Sequence, residues 1–416
     1  MERAILHCDL NNFYASVECI KNKEYQNTPL AVTGNPKKRT GVILAKNVLA
    51  KKMGVKTGDV IWKAKQLCPN LVCVSPDFET YAKYSDLVKK IYLKYTDFVE
   101  PFGIDECWLD VTKSQKLFGN PLQIAKKIKE DVKKETGLTI SIGISFSKMF
   151  AKLGSKLANN DQINIITRND YKEKVWHLPV EKLIFIGKRR LITLKKMNIN
   201  TIKDLALASK KVMEAKFGIN GSYLVDIANG NETDEVANNN NLRTIKSIGN
   251  GTTSIIDINN FDQAKQIIFY LCEQIAKRLR EKGFKTSCIN LTIKDNTLSS
   301  IGHSKSFKQA TNNSKELAKH AIELFYKTWN FSQHTSLIRA IRISTSNLIN
   351  DKECFQADLF ENTLLKEKQT KADSTIDKIK NKYGDSKIKR ALLLKASHIN
   401  SEISDDFFEE NIFNGK

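Results

Sequence analysis

Ala4-Ile5-Leu6-His7-Cys8-Asp9 runs an apolar segment into an acid, the pattern of a buried strand that delivers a carboxylate at its tip. Phe98-Val99-Glu100-Pro101-Phe102-Gly103-Ile104 and Cys107-Trp108-Leu109-Asp110-Val111 flank the pair Asp105-Glu106, which reads as two strands meeting at an acidic bend. Thr139-Ile140-Ser141-Ile142-Gly143-Ile144-Ser145 alternates strictly and predicts a half-buried strand with Ile140, Ile142 and Ile144 on one face. Helices are expected over Phe13 to Ile20, over 78–97, where Tyr81, Tyr84, Val88, Ile91 and Tyr95 keep helical spacing, and over Leu122 to Thr136. The order β, α, insertion, α, β, β, α, β predicts an α+β sheet covered by helices on one face.

Working outward, the insertion over Leu30 to Val74 holds short strands at Leu30 to Thr33 and Val42 to Ala45, a basic turn and a helix through Asn47 to Met53. After about Thr167 the pattern changes to short helices, with two helices expected around a tight turn at Gly187. The polar run Asn231 to Asn241 lacks periodicity and is the best linker candidate. A second α+β segment follows, with strands near Thr244 to Gly249, Ser287 to Lys294, Ser304 to Phe307 and Leu337 to Thr345, and helices over Asp262 to Lys282 and Ser314 to Trp329. Beyond Asn350 the pattern is less compact, and 401–416 is acidic and aromatic.

Composition narrows the function classes. The chain has 416 residues, 41% hydrophobic and 27% charged, as expected for several globular domains rather than a disordered or fibrous chain. No run is long enough to cross a bilayer, and the first residues are too polar for a signal peptide, so a cytoplasmic protein with no membrane association is expected. The eight cysteines include no Cys-x-x-Cys pair, which argues for reduced thiols and against a structural zinc. Lys+Arg 67 against Asp+Glu 46 gives a net charge of +21, which favours a polyanionic partner, although a lysine-rich composition alone would give the same number.

Asp9 on one strand and Asp105 with Glu106 beside another gather carboxylate oxygens around one point. Such a cluster repels itself unless cations fill it, and magnesium, which prefers carboxylate, water and phosphate oxygens, is the natural filler. Two ions about 3.5 to 4 Å apart would activate a hydroxyl and neutralise a leaving pyrophosphate. Spacing alone leaves open that these are solvated turn acids.

Cys8-Asp9-Leu10-Asn11-Asn12-Phe13-Tyr14-Ala15-Ser16-Val17-Glu18 resembles the opening motif of Y-family DNA polymerases, and Gly103-Ile104-Asp105-Glu106-Cys107-Trp108-Leu109-Asp110-Val111-Thr112 resembles their second acidic motif. Ser141-Ile142-Gly143-Ile144-Ser145, Lys148 and Ala151-Lys152-Leu153 follow in the family's order. The resemblance is nearest to the polymerase IV and UmuC-type branches. It implies a multidomain right-hand polymerase with a palm over 1–20 and 76–166, fingers over 21–75, a helical thumb over 167–235, a little finger over 236–350 and a flexible clamp-binding tail over 351–416. It implies template-directed, low-fidelity translesion DNA synthesis with two Mg2+ ions held by Asp9, Asp105, Glu106 and the backbone carbonyl of Leu10.

By motif position the resemblance further assigns Tyr14 as the ring that excludes ribose, Phe13 as its neighbour in the nucleotide pocket, and Lys51 as a phosphate contact. Polymerase IV proteins usually have tyrosine and arginine where this chain has Val48 and Lys51, and lysine where it has Asn159; Lys156, one helical turn earlier, is a substitute for the last. Gly187 and Lys188 resemble a helix-hairpin-helix turn, with Phe185 where a second glycine is usual. Lys246, Lys294, Lys305, Arg339 and Arg342 are expected to line a DNA groove, making salt-sensitive backbone contacts. Gln356-Ala357-Asp358-Leu359-Phe360 resembles the bacterial sliding-clamp-binding pentapeptide, with Gln356, Leu359 and Phe360 as its anchors. The expected partners are thus primer-template DNA, deoxynucleoside triphosphate and a sliding clamp, with the need for a UmuD-like protein left open and a monomer expected. Two other readings fit parts of the sequence: a degenerate polymerase that binds DNA and clamp without chemistry, and a two-metal nucleotide cyclase.

Overall fold

The computed structural model describes residues 2–35, 41–238, 245–351, 363–384, 387–388 and 390–393. The chain divides into two compact units, Met1–Thr33 with Ile43–Arg243, and 244–415 together with 34–42.

In the first unit β1 (Ile5–Leu10) leads into α1 (Phe13–Lys21), and a small sheet of β2 (Leu30–Thr33), β3 (Ile43–Lys46) and β4 (Val72–Val74) follows with α2 (Val48–Lys52) and α3 (Ile61–Leu67). This insertion has its own small core of Ala31, Ile43, Ala50, Val55, Ala64, Cys68 and Leu71. The chain then returns through α4 (Phe78–Leu93), β5 (Val99–Pro101), β6 (Glu106–Asp110), α5 (Gln115–Phe118), α6 (Pro121–Thr136), β7 (Ile140–Ser145), α7 (Lys148–Leu157) and β8 (Ile163–Ile166). The main sheet has the order β5-β6-β1-β7-β8, with β1 antiparallel to both neighbours. Residues opposite each other in an antiparallel pair share a face. Leu6, Cys8, Leu10, Cys107, Leu109, Ile140, Ile142 and Ile144 therefore point together into a core with Tyr81, Val88, Tyr92, Ile124, Ile128 and Val132 of α4 and α6. Ile5, His7, Asp9, Glu106, Trp108, Ser141 and Gly143 share the other face.

Sequence alternation predicted that second face to be open, and the structure corrects this: α7 covers it. Gly143 makes the covering possible, because a Cβ there would stand 1.9 Å from the Ala151 carbonyl oxygen and 2.3 Å from Ser155 N. Every residue of β7 is consequently buried. The opposite side of α7, with Met149, Phe150 and Leu153, and Phe146 just before it, forms a core with the short helices α8 (Tyr171–Val175), α9 (Lys188–Lys196), α10 (Ile202–Leu207), α11 (Lys210–Phe217) and α12 (Ile219–Ala228). The helix expected before Gly187 is a 3-10 turn at Val180–Lys182; Pro179 and the left-handed Phe185, at φ 70°, frame it.

The linker expectation is also corrected. Residues 231–238 lie against the first unit, with Val236 buried among Ile5, Trp108 and Ala151. The backbone N–H of Ala237 donates to Glu100 Oε2 (2.9 Å) and Glu232 Oε2 accepts from Lys148 N (3.0 Å). The unit boundary therefore falls after 236, where the second domain was expected to begin.

The second unit orders β9 (Ser247–Ile258), α13 (Phe261–Glu281), β10 (Phe284–Asp295), β11 (Ser300–Thr311), α14 (Ser314–Thr328) and β12 (Ile338–Asn350) into the antiparallel sheet β11-β10-β12-β9. Ile248, Ile289, Leu291, Ile293, Ile341 and Ile343 face α13 and α14. The remaining positions, among them Gly249, Gly251, Asn290, Thr292, Lys294, Arg342 and Ser344, point away from the helices. Past β12 the chain is not uniformly loose, contrary to expectation: α15 (Thr363–Tyr383) docks on α13 through charge. Arg280 Nε donates to Asp377 (2.7 Å), while Asp373 accepts from Ser314 N (3.0 Å) at the start of α14 and faces Arg390 (3.3 Å).

Gly143→Ala is expected to force α7 off the sheet and to lower stability by at least about 1–3 kcal/mol, the usual scale of overpacking. Urea denaturation monitored by circular dichroism measures this.

Candidate active site

At the end of the main sheet Asp9 pairs in register with Glu106, and the backbone N–H of Leu10 donates to the carbonyl of Asp105 (3.0 Å). This bond fastens the two acid-bearing segments together. Asn11 fixes the exit of β1: its N–H donates to the Thr139 carbonyl (3.0 Å), its side-chain amide to Ser141 Oγ (2.7 Å), and its carbonyl oxygen Oδ1 accepts from Asp161 N (2.8 Å). Asn12, at φ 51°, makes the turn into α1, a conformation asparagine tolerates better than most residues.

The three acids ionise unequally. Burial, then the charges of Glu106 and Asp105, push Asp9 up to about 7; burial and Glu106 push Asp105 up to about 6. Burial also raises Glu106, but His7 and Lys152 outweigh it and hold that carboxyl at about 2. Lys152, on α7 and only 3% exposed, donates directly to Glu106 Oε2 and lies over the Phe102 ring (4.2 Å). His7 is fully buried, which pushes it down to about 4. Its Nδ1 is 2.7 Å from Ser155 Oγ, and its Nε2 stands 3.5 Å from Glu106 Oε2 without a hydrogen-bond partner. Among the described residues, no three His, Cys, Asp or Glu converge as a ready metal-ligand group; the Glu106 oxygen is turned to Lys152.

Tyr14 lies half-buried beside the acids, its ring stacked on Tyr81 (4.4 Å) and edge-on to Phe78 (5.9 Å). Burial, with the nearby Asp105 charge, pushes its hydroxyl up to about 12. Phe13, expected in the same pocket, points into the core and is 3% exposed; it backs Tyr14 and presents no surface to a ligand. Helix periodicity explains this, since neighbours on a helix point about 100° apart. Lys51 is exposed on α2, and the lysine whose field it reaches is Lys46. The cations whose charge acts on Asp9 are Lys152 and Lys156 of α7. Sequence reading noted Lys152 only within a family motif and assigned no role to it or to His7, although Lys148, Lys152 and Lys156 at i, i+4 steps mark one face of α7. Asn159 is exposed, and its carbonyl accepts from Ser141 Oγ (3.0 Å).

Among the positions expected to meet DNA, Gly187 caps the start of α9 with Lys188, Arg189 and Arg190 in its first turn and no acid. Lys294 and Arg342 lie on the helix-free face of the second sheet, opposite Ala340 and Thr292 respectively. Lys246 is exposed just before β9, and Arg339 sits where the β9–β12 register shifts. Lys305 is turned to the helices, donating to Glu323 of α14, and so leaves the groove expectation. Gln356, Leu359 and Phe360 lie outside the described residues. The seven cysteines among the described residues are free, and no described helix is long and apolar enough to cross a membrane.

A mixed sheet with clustered acids at its end, joined to helices and to a second antiparallel sheet, is the architecture of a Y-family polymerase. A Y-family DNA polymerase chimera of known structure superposes with a TM-score of 0.74 over 83% of this chain and 99% of the chimera, at 22% identity. The impB/mucB/samB family profile matches residues 8–156, and the profile of that family's C-terminal domain matches residues 245–359. The DNA polymerase IV of Acetivibrio thermocellus is 40% identical over 96% of this chain and all of its own length. That of Clostridium kluyveri is 34% identical over 95% of this chain and all of its own, and DNA polymerase IV 2 of Bacillus subtilis 33% over 95% and 96%. The chain belongs to the impB/mucB/samB family, within the DNA polymerase IV group of Y-family polymerases.

Behind the acids, Lys148 Nζ pairs with Glu100 (2.7 Å) with both side chains buried. Because a lone buried charge is left when one partner goes, Lys148→Met is expected to lower stability by about 3–5 kcal/mol. The double variant Lys148→Met/Glu100→Gln is expected to recover part of that loss, as read from urea midpoints.

Proposed function

We propose that this protein is a template-directed, low-fidelity DNA polymerase that adds deoxynucleotides to a primer 3′ end, including opposite damaged bases. The observation that carries this reading is the pairing of Asp9 with Glu106 and of Leu10 with Asp105, in a chain similar over nearly its whole length to proteins named DNA polymerase IV. In this reading Asp9, Asp105, Glu106 and the Leu10 carbonyl hold two Mg2+ ions. The ions supply charge neutralisation at the attacking hydroxyl and the leaving pyrophosphate. Two features of the chain suit such cations. Asp9 is raised by burial and by the charges of Glu106 and Asp105, and Asp105 by burial and the charge of Glu106, so a cation would relieve both.

Tyr14 gives the incoming sugar a rigid floor, because Tyr81 and Phe78 fix its ring from two sides, and a 2′-hydroxyl would meet it. Lys156, exposed and acting on Asp9, offers a charge to the triphosphate where Asn159 brings none; Lys51 offers another from the insertion. Lys294 and Arg342, with Lys246, Arg339, Gly187 and Lys188, hold primer-template DNA through its backbone, without reading sequence. Gln356, Leu359 and Phe360 recruit a sliding clamp, and the protein works as a cytoplasmic monomer. The intact acids disfavour a binding-only homologue, and the second sheet disfavours a cyclase.

Single-nucleotide insertion on damaged and undamaged templates, with deoxy- and ribonucleotides, tests the reading. Asp105→Ala is expected to lose about a thousandfold in rate, the scale of several kcal/mol of lost charge stabilisation, and Tyr14→Ala to gain ribonucleotide insertion. Unchanged extension by Asp105→Ala refutes the assignment. Arg342→Ser is expected to weaken DNA binding on all sequences alike and to reduce the slope of log affinity against log salt by about 1.

A further inference from the structure

Lys152 is a lysine buried to 3% exposure beside the acid cluster. A lysine side chain is almost never fully buried without a partner that compensates it. The partner of Lys152 is Glu106, one of the acids the proposed reaction needs for cations, rather than an acid set aside for structure. Elsewhere on the same helix face the chain has a structural alternative: Lys148, one turn earlier, is paired with Glu100, which is no part of the acid cluster. The ammonium of Lys152 is also delivered with care. It lies 4.2 Å from the centre of the Phe102 ring and 5.8 Å from that of Trp108, and Phe102 and Trp108 themselves pack edge to face at 4.7 Å. Trp108 is held in turn by its Nε1–H, which donates to the Lys148 carbonyl (2.9 Å). Aromatic faces attract a desolvated cation without bonding it covalently or saturating its donors, so the rings go on compensating the ammonium when the carboxylate turns to another cation.

We propose that Lys152 is a built-in counter-ion for the acid cluster, pairing with Glu106 until divalent metal competes for that carboxylate, while the Phe102 and Trp108 rings hold the ammonium in place throughout. The consequence is a positioning role. Three acids with no cation repel one another; strand pairing already sets Glu106 opposite Asp9, and Lys152 offsets the repulsion by turning the Glu106 carboxylate to itself. The same contact makes metal compete with an internal cation, which keeps the DNA-free enzyme weakly loaded.

This inference rests on the reading of Asp9, Asp105 and Glu106 as metal ligands, and the experiment separates the two. Mn2+ binding to the full-length, DNA-free protein is measured by electron paramagnetic resonance for wild type, Asp105→Ala, Lys152→Met and Lys152→Arg. Wild type binding Mn2+ no better than Asp105→Ala overturns the metal reading itself. With that reading intact, Lys152→Met is expected to bind Mn2+ roughly tenfold tighter, the effect one neighbouring charge has on a carboxylate, and Lys152→Arg to stay within about threefold of wild type because it keeps the charge. A lysine that merely supports the fold predicts the reverse order, and Mn2+ affinity unchanged or weaker in Lys152→Met overturns the proposal. Should Lys152→Met fail to fold, Phe102→Leu removes one of the two rings that compensate the ammonium while leaving lysine and acids in position. It is then expected to weaken Mn2+ binding by severalfold, and an unchanged affinity overturns the proposal in that arm.

Discussion

With no side chain at Gly143, the helix Lys148–Leu157 lies on the sheet backbone to backbone, and a Cβ there would meet the Ala151 carbonyl oxygen at 1.9 Å. This contact brings Lys148, Lys152 and Lys156 over the face that carries Asp9, Glu106 and Trp108. It also gives the same helix two jobs, since the side away from the sheet is the floor of the core formed by the short helices. The charged site and the helical region thus share one rigid element.

Three lysines a turn apart on α7 show how burial decides what a charge does. Lys148 is sealed against Glu100 and helps hold the segment 231–238 to the first unit. Lys152 is equally sealed but faces the acid cluster. Lys156, at the end of the helix, is exposed, and its field still acts on Asp9 and His7. In the second unit the opposite arrangement holds: the sheet face turned from the helices carries glycine, serine, threonine and asparagine beside Lys294 and Arg342. Short side chains there leave the long Lys294 and Arg342 side chains unobstructed, which suits the backbone contacts proposed for them.

Much of the fold was legible because the elements obey simple periods. The predicted helices over Asp262 to Lys282 and Ser314 to Trp329 differ by a residue or so from Phe261–Glu281 and Ser314–Thr328. Strand ends in the second unit were underestimated, since polar residues on an open sheet face look like loop: Ser300–Thr311 was expected only over Ser304 to Phe307. The strap at 231–238 was missed for a related reason. Its composition is that of a linker, and it is bound through particular partners, Glu100, Lys148 and Trp108, that lie far away in the chain.

The sequence by itself determined the three acids, the strand tips that carry them and the turn into the helix with Tyr14, because each depends on local pattern and on motifs a few residues long. Tertiary structure decided the surroundings. That Phe13 backs Tyr14, that Lys152 and not Lys51 faces the acids, and that Glu106 is ionised while Asp9 and Asp105 resist ionisation all follow from burial and from charges brought together across the fold. Electrostatics acts through space, and no local pattern records which distant charge will share a low-dielectric site.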